Sequence, residues 1–269
     1  MKKRIFLLAA IAALFMICVV SGLFLYQDLY RSIREKNANR QLAEQVRKVQ
    51  ERVAAQKEAQ EEPSEEPLSG EDEDPVILAQ YEELWKQNDD LNGWMTIEGI
   101  GVDNPVMFTP EDPEYYLHRG FDRQEAASGC LFIGEGWFEE AGNTIVYGHH
   151  MKDGSMFGNL DKYQSESFAR ENPLIRFDTL TQEREYRVIA AFFGRTYTLK
   201  EEGVFRYYWY GDLSKEERFN EFVEQVKEAS LYNIEDVSYG DELLTLSTCS
   251  YHTDEGRFVV VAKRIDDEK

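Results

Sequence analysis

The chain has 269 residues, 42% of them apolar and 13% aromatic, and a formal net charge of −21. That apolar content is enough to build a folded core, which excludes a wholly disordered chain. A surface this acidic repels polyanions, and without a segregated basic patch it excludes a nucleic-acid partner.

Ile5 to Val20 is unbroken apolar sequence, extended by Ser21 to Tyr26 and preceded by the positive flank Met1-Lys2-Lys3-Arg4. About 20 such residues suffice to cross a hydrocarbon core as a helix. Residues 1–26 therefore read as a cytoplasmic stub and transmembrane anchor, with the C-terminal part outside the cell. A cleaved signal peptide competes, but the stretch is long for one and lacks a small-x-small site before Gln27-Asp28. Arg31, Arg34, Lys36 and Arg40 follow closely and weigh against this orientation in a count of basic residues. Cys18 reads as an apolar filler, because bulky Ile17 precedes it where lipid attachment needs a small residue.

Residues 27–75 read as a charged helical stalk followed by a flexible linker. Leu42, Val46, Val49 and Val53 form a narrow stripe at helical spacing, equally compatible with a weak coiled coil. Glu58 to Pro75 is acidic, holds three prolines and lacks aromatic and β-branched residues, so it cannot bury enough surface to fold.

Residues 76–269 read as the globular domain. Val76 to Leu91 predicts a helix with Ile77, Tyr81, Leu84 and Trp85 on one face. Short β-like runs follow at Trp94–Ile97, Val102–Phe108, Leu131–Ile133, Thr144–Tyr147, Leu174–Phe177, Tyr186–Phe193, Leu243–Leu246 and Phe258–Ile265. A second helix is predicted over Ser214–Ala229, with Ser214 and Glu217 as a capping box and Phe219, Phe222, Val223 and Val226 facing inward. Many strands and few helices predict a closed or nearly closed β-barrel.

Cys249 ends the run Leu-Leu-Thr-Leu-Ser-Thr-Cys, whose alternation predicts a half-buried strand delivering its last residue to a rim. A cysteine at a strand end is commonly a small buried hydrophobe, so its surroundings must decide. Eight residues later Arg257 opens another β-forming run. Two strands joined by Ser250–Gly256 would bring the guanidinium beside the thiol, where it can favour a thiolate or a developing oxyanion. An ion pair with Asp254 or Glu255 is the alternative role. The histidines are His118, His149, His150 and His252. His252 lies on a loop, whereas His149 follows a strand and Gly148, where an imidazole can be held at a fixed place. A Cys130–Cys249 disulfide would silence both thiols and does not suit a domain of this size. No His or acidic spacing of a metal site is present, and no cofactor is expected.

Thr245-Leu246-Ser247-Thr248-Cys249, with Arg257 and Val259-Val260-Val261-Ala262-Lys263-Arg264, resembles the signature of the sortases, the Gram-positive cysteine transpeptidases. Asn143 to Phe157 resembles the histidine segment of class B sortases, and Gly93 to Val106 and Tyr115-Tyr116-Leu117 fit the same subclass. The resemblance implies an eight-stranded β-barrel with an N-terminal helix pair and a long helix before the cysteine strand. It implies Cys249 as nucleophile, His149 as the histidine in preference to His150, and Arg257 as the arginine. Leu117 and Ser247 match positions lining the substrate groove, each with strand packing as its ordinary role, and Cys130 matches a core strand. The implied reaction cleaves a sorting motif after Thr near the C-terminus of a surface protein. The acyl group then passes through a thioester to an amine of a peptidoglycan precursor. Its alternatives are a hydrolytic cysteine peptidase, a pilus-assembling sortase, and a catalytically idle membrane-tethered adaptor.

Overall fold

The computed structural model describes residues 2–59, 76–135, 137–138 and 141–265. Of the expected spacer Glu58 to Pro75, positions 60 to 75 lie outside them, and Glu58 and Ala59 instead end the first helix. The β-branched and aromatic runs form eight strands: β1 Leu91–Ile97, β2 Val102–Met107, β3 Leu131–Ile133, β4 Asn143–Tyr147, β5 Leu174–Thr179, β6 Glu185–Arg195, β7 Leu243–Cys249 and β8 Gly256–Ile265. They hydrogen-bond in the order β1-β2-β3-β4-β7-β8-β6-β5, and pairing of β5 with β1 closes the barrel. Closure leaves no unpaired edge to aggregate. The fold is the mainly β barrel that the sequence predicts. Most neighbours are antiparallel, but β2 with β3 and β4 with β7 run parallel.

Side chains from alternate strand positions fill the barrel, among them Met95, Val106, Leu131, Val146, Leu246 and Val260, all fully or almost fully buried. A second cluster lies outside the wall, where helix Glu216–Ala229 lays Phe219, Phe222 and Val226 against Ile189, Val259 and Val261. This is the long helix expected before the cysteine strand. Its predicted capping box does not form: the helix begins at Glu216, and Ser214 donates its hydroxyl to Asp212 at 2.7 Å. β7 also departs from prediction, since every residue from Leu243 to Thr248 is buried. Interior side chains cover one of its faces and the aromatic segment before the long helix covers the other, so its alternation does not separate core from solvent.

A third cluster joins two N-terminal helices to the wall. α1 spans Lys2–Ala59 and α2 spans Ala79–Gln87, shorter than the predicted Val76–Leu91. Asn88 ends α2 because its side-chain amide donates to Tyr116 Oη at 2.7 Å and to the Phe121 carbonyl at 2.6 Å. Tyr81 of α2 donates to buried Asp178 of β5 at 2.6 Å, latching the helix to the barrel. Leu42 and Val46 of α1 are buried against Tyr81, Leu84 and Met107. The narrow stripe that reads as a stalk is thus a docking face, too short to form a core alone but sufficient against a second helix and a sheet. Nearer its start, α1 holds one stretch long and apolar enough to cross a bilayer, with Phe15, Leu23 and Leu25 exposed.

The docking face distinguishes its residues by burial. Leu42→Ala is expected to lower unfolding stability by about 2–3 kcal/mol through the cavity it leaves. Val53→Ala, at a half-buried position further along α1, is expected to change it by less than about 1 kcal/mol. Urea unfolding of the two variants checks the difference, and equal effects would mean that α1 does not dock.

Candidate active site

Parallel pairing sets the site. β4 and β7 are in register with Tyr147 beside Ser247, and His149 and Cys249 each lie two residues further on, at the same rim. The lock continues past the strands: Gly148 N–H donates to the Ser247 carbonyl at 3.1 Å, and Thr248 Oγ1 donates to the Gly148 carbonyl at 2.8 Å. A Cβ at Gly148 would fall 2.5 Å from the Leu131 side chain and 2.8 Å from the Phe157 ring, so any other residue would displace these two core side chains. On the other side β7 pairs antiparallel with β8, which makes Arg257 the cross-strand partner of Cys249. Cys249, Arg257 and His149 therefore stand at the same end of three adjacent strands.

Cys249 is half-buried, the single residue of β7 not closed off from solvent, whereas Cys130 is buried at 3% exposure. Both thiols are free, so no disulfide joins them. Burial pushes the Cys130 thiol far above its ordinary range, which makes it packing and not a nucleophile.

The half-buried His149 ring donates from Nε2 to the Leu117 carbonyl at 2.8 Å. A carbonyl only accepts, so Nε2 carries the proton and Nδ1 is the nitrogen left to exchange one. His118, which the sequence did not single out, stacks on His149 with ring centres 5.4 Å apart. Burial lowers the His149 pKa; the Leu117 carbonyl opposes this, and nearby His118 adds to it. His150 instead packs edge-on against Tyr251 with its Nδ1 buried and unpartnered. His252 rests 4.7 Å from the Phe193 ring and contacts Ser250.

Arg257 donates to the carbonyls of Glu255 and Gly256 at 3.3 and 3.0 Å. Its contact with the Glu255 carboxylate is 3.9 Å long, and Glu255 is largely exposed, so that pair holds the guanidinium only loosely. Ser247 is 1% exposed, and its hydroxyl shares a 2.7 Å hydrogen bond with Tyr207. It therefore underlies the rim and does not stand on it. Burial pushes Tyr207 up to about 12, against the pull of Ser247 and of the Arg257 charge. Tyr207 and neighbouring Tyr208 come from the aromatic run Phe205–Tyr210, whose density was visible in the sequence but whose place was not. Among the described residues no cluster of His, Cys, Asp and Glu is arranged to hold a metal ion.

The family model described as the sortase domain matches residues 95–265, from within β1 to the last residue of β8. Sortase B of Listeria monocytogenes is 32% identical over 192 residues, covering 69% of this chain and 74% of that protein. Sortase B of Staphylococcus aureus is 31% identical over 197 residues, covering 70% and 76%. Among solved structures, a Staphylococcus aureus sortase B–substrate complex superposes with a TM-score of 0.66 at 25% identity, covering 87% of this chain and 98% of that one.

Two measurements check the site's electrostatics. His149 is expected to titrate below the ordinary histidine value of about 6.5, because burial disfavours its imidazolium. His118→Asn removes the imidazole whose coulombic effect lowers His149 and is expected to move that midpoint upward, as read by NMR of labelled histidine. Iodoacetamide applied to the folded chain is expected to alkylate Cys249 and leave Cys130 unmodified, as read by peptide mass spectrometry.

Proposed function

Because the chain belongs to the sortase family of cysteine transpeptidases, we propose that it is a class B-like sortase that anchors surface proteins to the cell wall. The observation that carries this reading is the convergence of Cys249, His149 and Arg257 on one barrel rim through the β4–β7 and β7–β8 registers. Cys249 passes its thiol proton to His149 Nδ1 and, as the thiolate, attacks the carbonyl carbon of the Thr in a sorting motif. The C–N bond breaks as His149 passes a proton to the leaving amine, and a thioester remains on Cys249. A peptidoglycan-precursor amine then attacks the thioester carbon and loses its proton to His149. The new amide forms and the thiolate leaves.

The fixed Nε2–H to Leu117 bond supports this role, since a carbonyl acceptor orients the ring and favours its charged form while Nδ1 handles the proton. Arg257 steadies the motif backbone or the oxyanion, a role that its loose contact with Glu255 leaves open. Leu117 borders the bound motif, and Ser247 supports the groove by fixing Tyr207. The apolar part of α1 is a single membrane span, and attachment of surface proteins to the wall puts the catalytic domain outside the cell. In the proposed organisation, residues 1–26 form the anchor, 27–75 the connecting segment and 76–269 the catalytic domain.

Cys249→Ala is expected to abolish both acyl-adduct formation and transfer on motif peptides while the protein stays folded. Arg257→Ala is expected to lower kcat/KM by about a hundredfold or more, the scale of losing an oxyanion donor. Mass spectrometry with and without added amine separates transfer from hydrolysis. Transfer retained by the Cys249 variant would reject the reading, and hydrolysed product alone at high amine concentration would favour a peptidase.

A further inference from the structure

Residues 32–36 of α1 follow its apolar stretch closely and touch both loops that hold His149. Lys36 Nζ lies 2.9 Å from an oxygen of the Asp153 carboxylate, and Ser32 Oγ donates to that oxygen at 3.0 Å. Asp153 sits in the turn that leaves His149, whose ends are joined by the Phe157 N–H to His149 carbonyl bond of 3.0 Å. Its other oxygen accepts from the Ser155 backbone N–H and hydroxyl at 3.1 and 2.6 Å. Partial burial pushes this carboxyl up, but the hydrogen bonds from Ser155, Lys36 and Ser32 outweigh burial and hold it well below the usual aspartate range. Asp153 is therefore an anion at neutral pH, and Lys36 keeps an ionised partner.

The second contact lies one residue away along the helix. The two carboxylate oxygens of Glu35 accept from the backbone N–H groups of Ala127 and Ser128 at 3.0 and 3.1 Å. These lead into Gly129, at φ 56°, where a Cβ would fall 2.4 Å from the Leu117 carbonyl oxygen. Bonds from Ala126 N–H to the His118 carbonyl and from Cys130 N–H to the Tyr116 carbonyl, 3.1 and 3.0 Å long, tie the same segment down on either side. The carbonyl that orients His149 is thus backed by a segment that Glu35 holds. Beside these contacts the seam between α1 and the barrel opens into a cleft of about 360 Å³ lined by Arg40, Asp103 and Met151 among others.

We propose that Glu35 and Lys36 are positioning residues for His149: from α1 they hold the two loops that set the imidazole's place. The helix that bears the apolar N-terminal stretch is then a working part of the active site as well as an anchor. The inference rests on the reading of His149 as the acid and base of acyl transfer. A partly exposed ion pair contributes little to stability, so its loss is expected to disturb the histidine more than the melting temperature.

The test uses the full chain in lipid nanodiscs, with histidine labelled for NMR and transfer of a motif peptide to an amine followed in parallel. Lys36→Met and Asp153→Asn are each expected to lower kcat by about ten- to a hundredfold through misplacement of the ring, with the peptide KM within about twofold of its starting value. The double variant loses no more than either single one, because both remove the same contact. The His149 midpoint rises toward the ordinary value as the loops loosen and water reaches the ring. Glu35→Gln behaves likewise, Glu35→Asp recovers part of the loss, and Glu51→Gln, on an exposed part of α1, changes nothing. An unmoved His149 midpoint in folded Lys36→Met overturns the inference, whether or not kcat falls. If Lys36→Met does not fold, Glu35→Gln decides by the same midpoint. Should the unsubstituted chain transfer no peptide, the acyl-transfer reading fails, and the His149 midpoint still settles the positioning role.

Discussion

The parallel pairing of β4 with β7 is the constraint from which the rest of the site follows. Antiparallel neighbours would send Cys249 and His149 to opposite ends of the barrel. Parallel neighbours deliver both to one rim, and the Tyr147–Ser247 register places each two residues beyond the shared pair. Parallel strands need a long connection, and here about a hundred residues separate them, enough for two further strands, the aromatic segment and the long helix. The aromatic segment, backed by the long helix, covers the outer face of β7, which is why that strand is buried on both sides.

The three candidate side chains differ in how firmly they are held. His149 has a short bond to a backbone carbonyl and a stacked ring beside it. Cys249 is set by the strand itself and by Thr248, whose hydroxyl reaches the backbone of the histidine segment. Arg257 is held by main-chain carbonyls at the start of its own strand, with a long contact to an exposed carboxylate. A firmly held histidine and a looser guanidinium suit the roles proposed for them, proton transfer at a fixed position and contact with an arriving substrate.

Membership of the sortase family agrees with this geometry, and the matched region ends where the barrel ends. Outside it lie α1 and α2, which dock on the wall through Leu42, Val46, Tyr81 and Leu84. α1 thereby joins an apolar segment, a docking face and contacts to the histidine loops in one continuous helix, about 87 Å long at 1.5 Å per residue over its 58 residues.

Much of the barrel was legible in the sequence, because β-branched runs separated by turn residues can satisfy their backbone groups in few ways. The thiol, the imidazole and the guanidinium were legible too, since Cys249, His149 and Arg257 each stand at the end of such a run beside a loop. Burial on both faces of β7 was not, because its second cover comes from Tyr207 and its neighbours, far away in sequence. The helix cap at Ser214 failed for a local reason: Asp212, two residues before it, takes the hydroxyl. Likewise, the stripe of Leu42 and Val46 is too narrow to announce a partner, and only α2 and Met107 make it a core. Sequence alone thus determined which chemical groups this protein carries and which runs become strands, since both are properties of local residue type. Tertiary structure decided which strands run parallel, what orients His149, and what α1 rests on, since these contacts join residues distant from one another in the sequence.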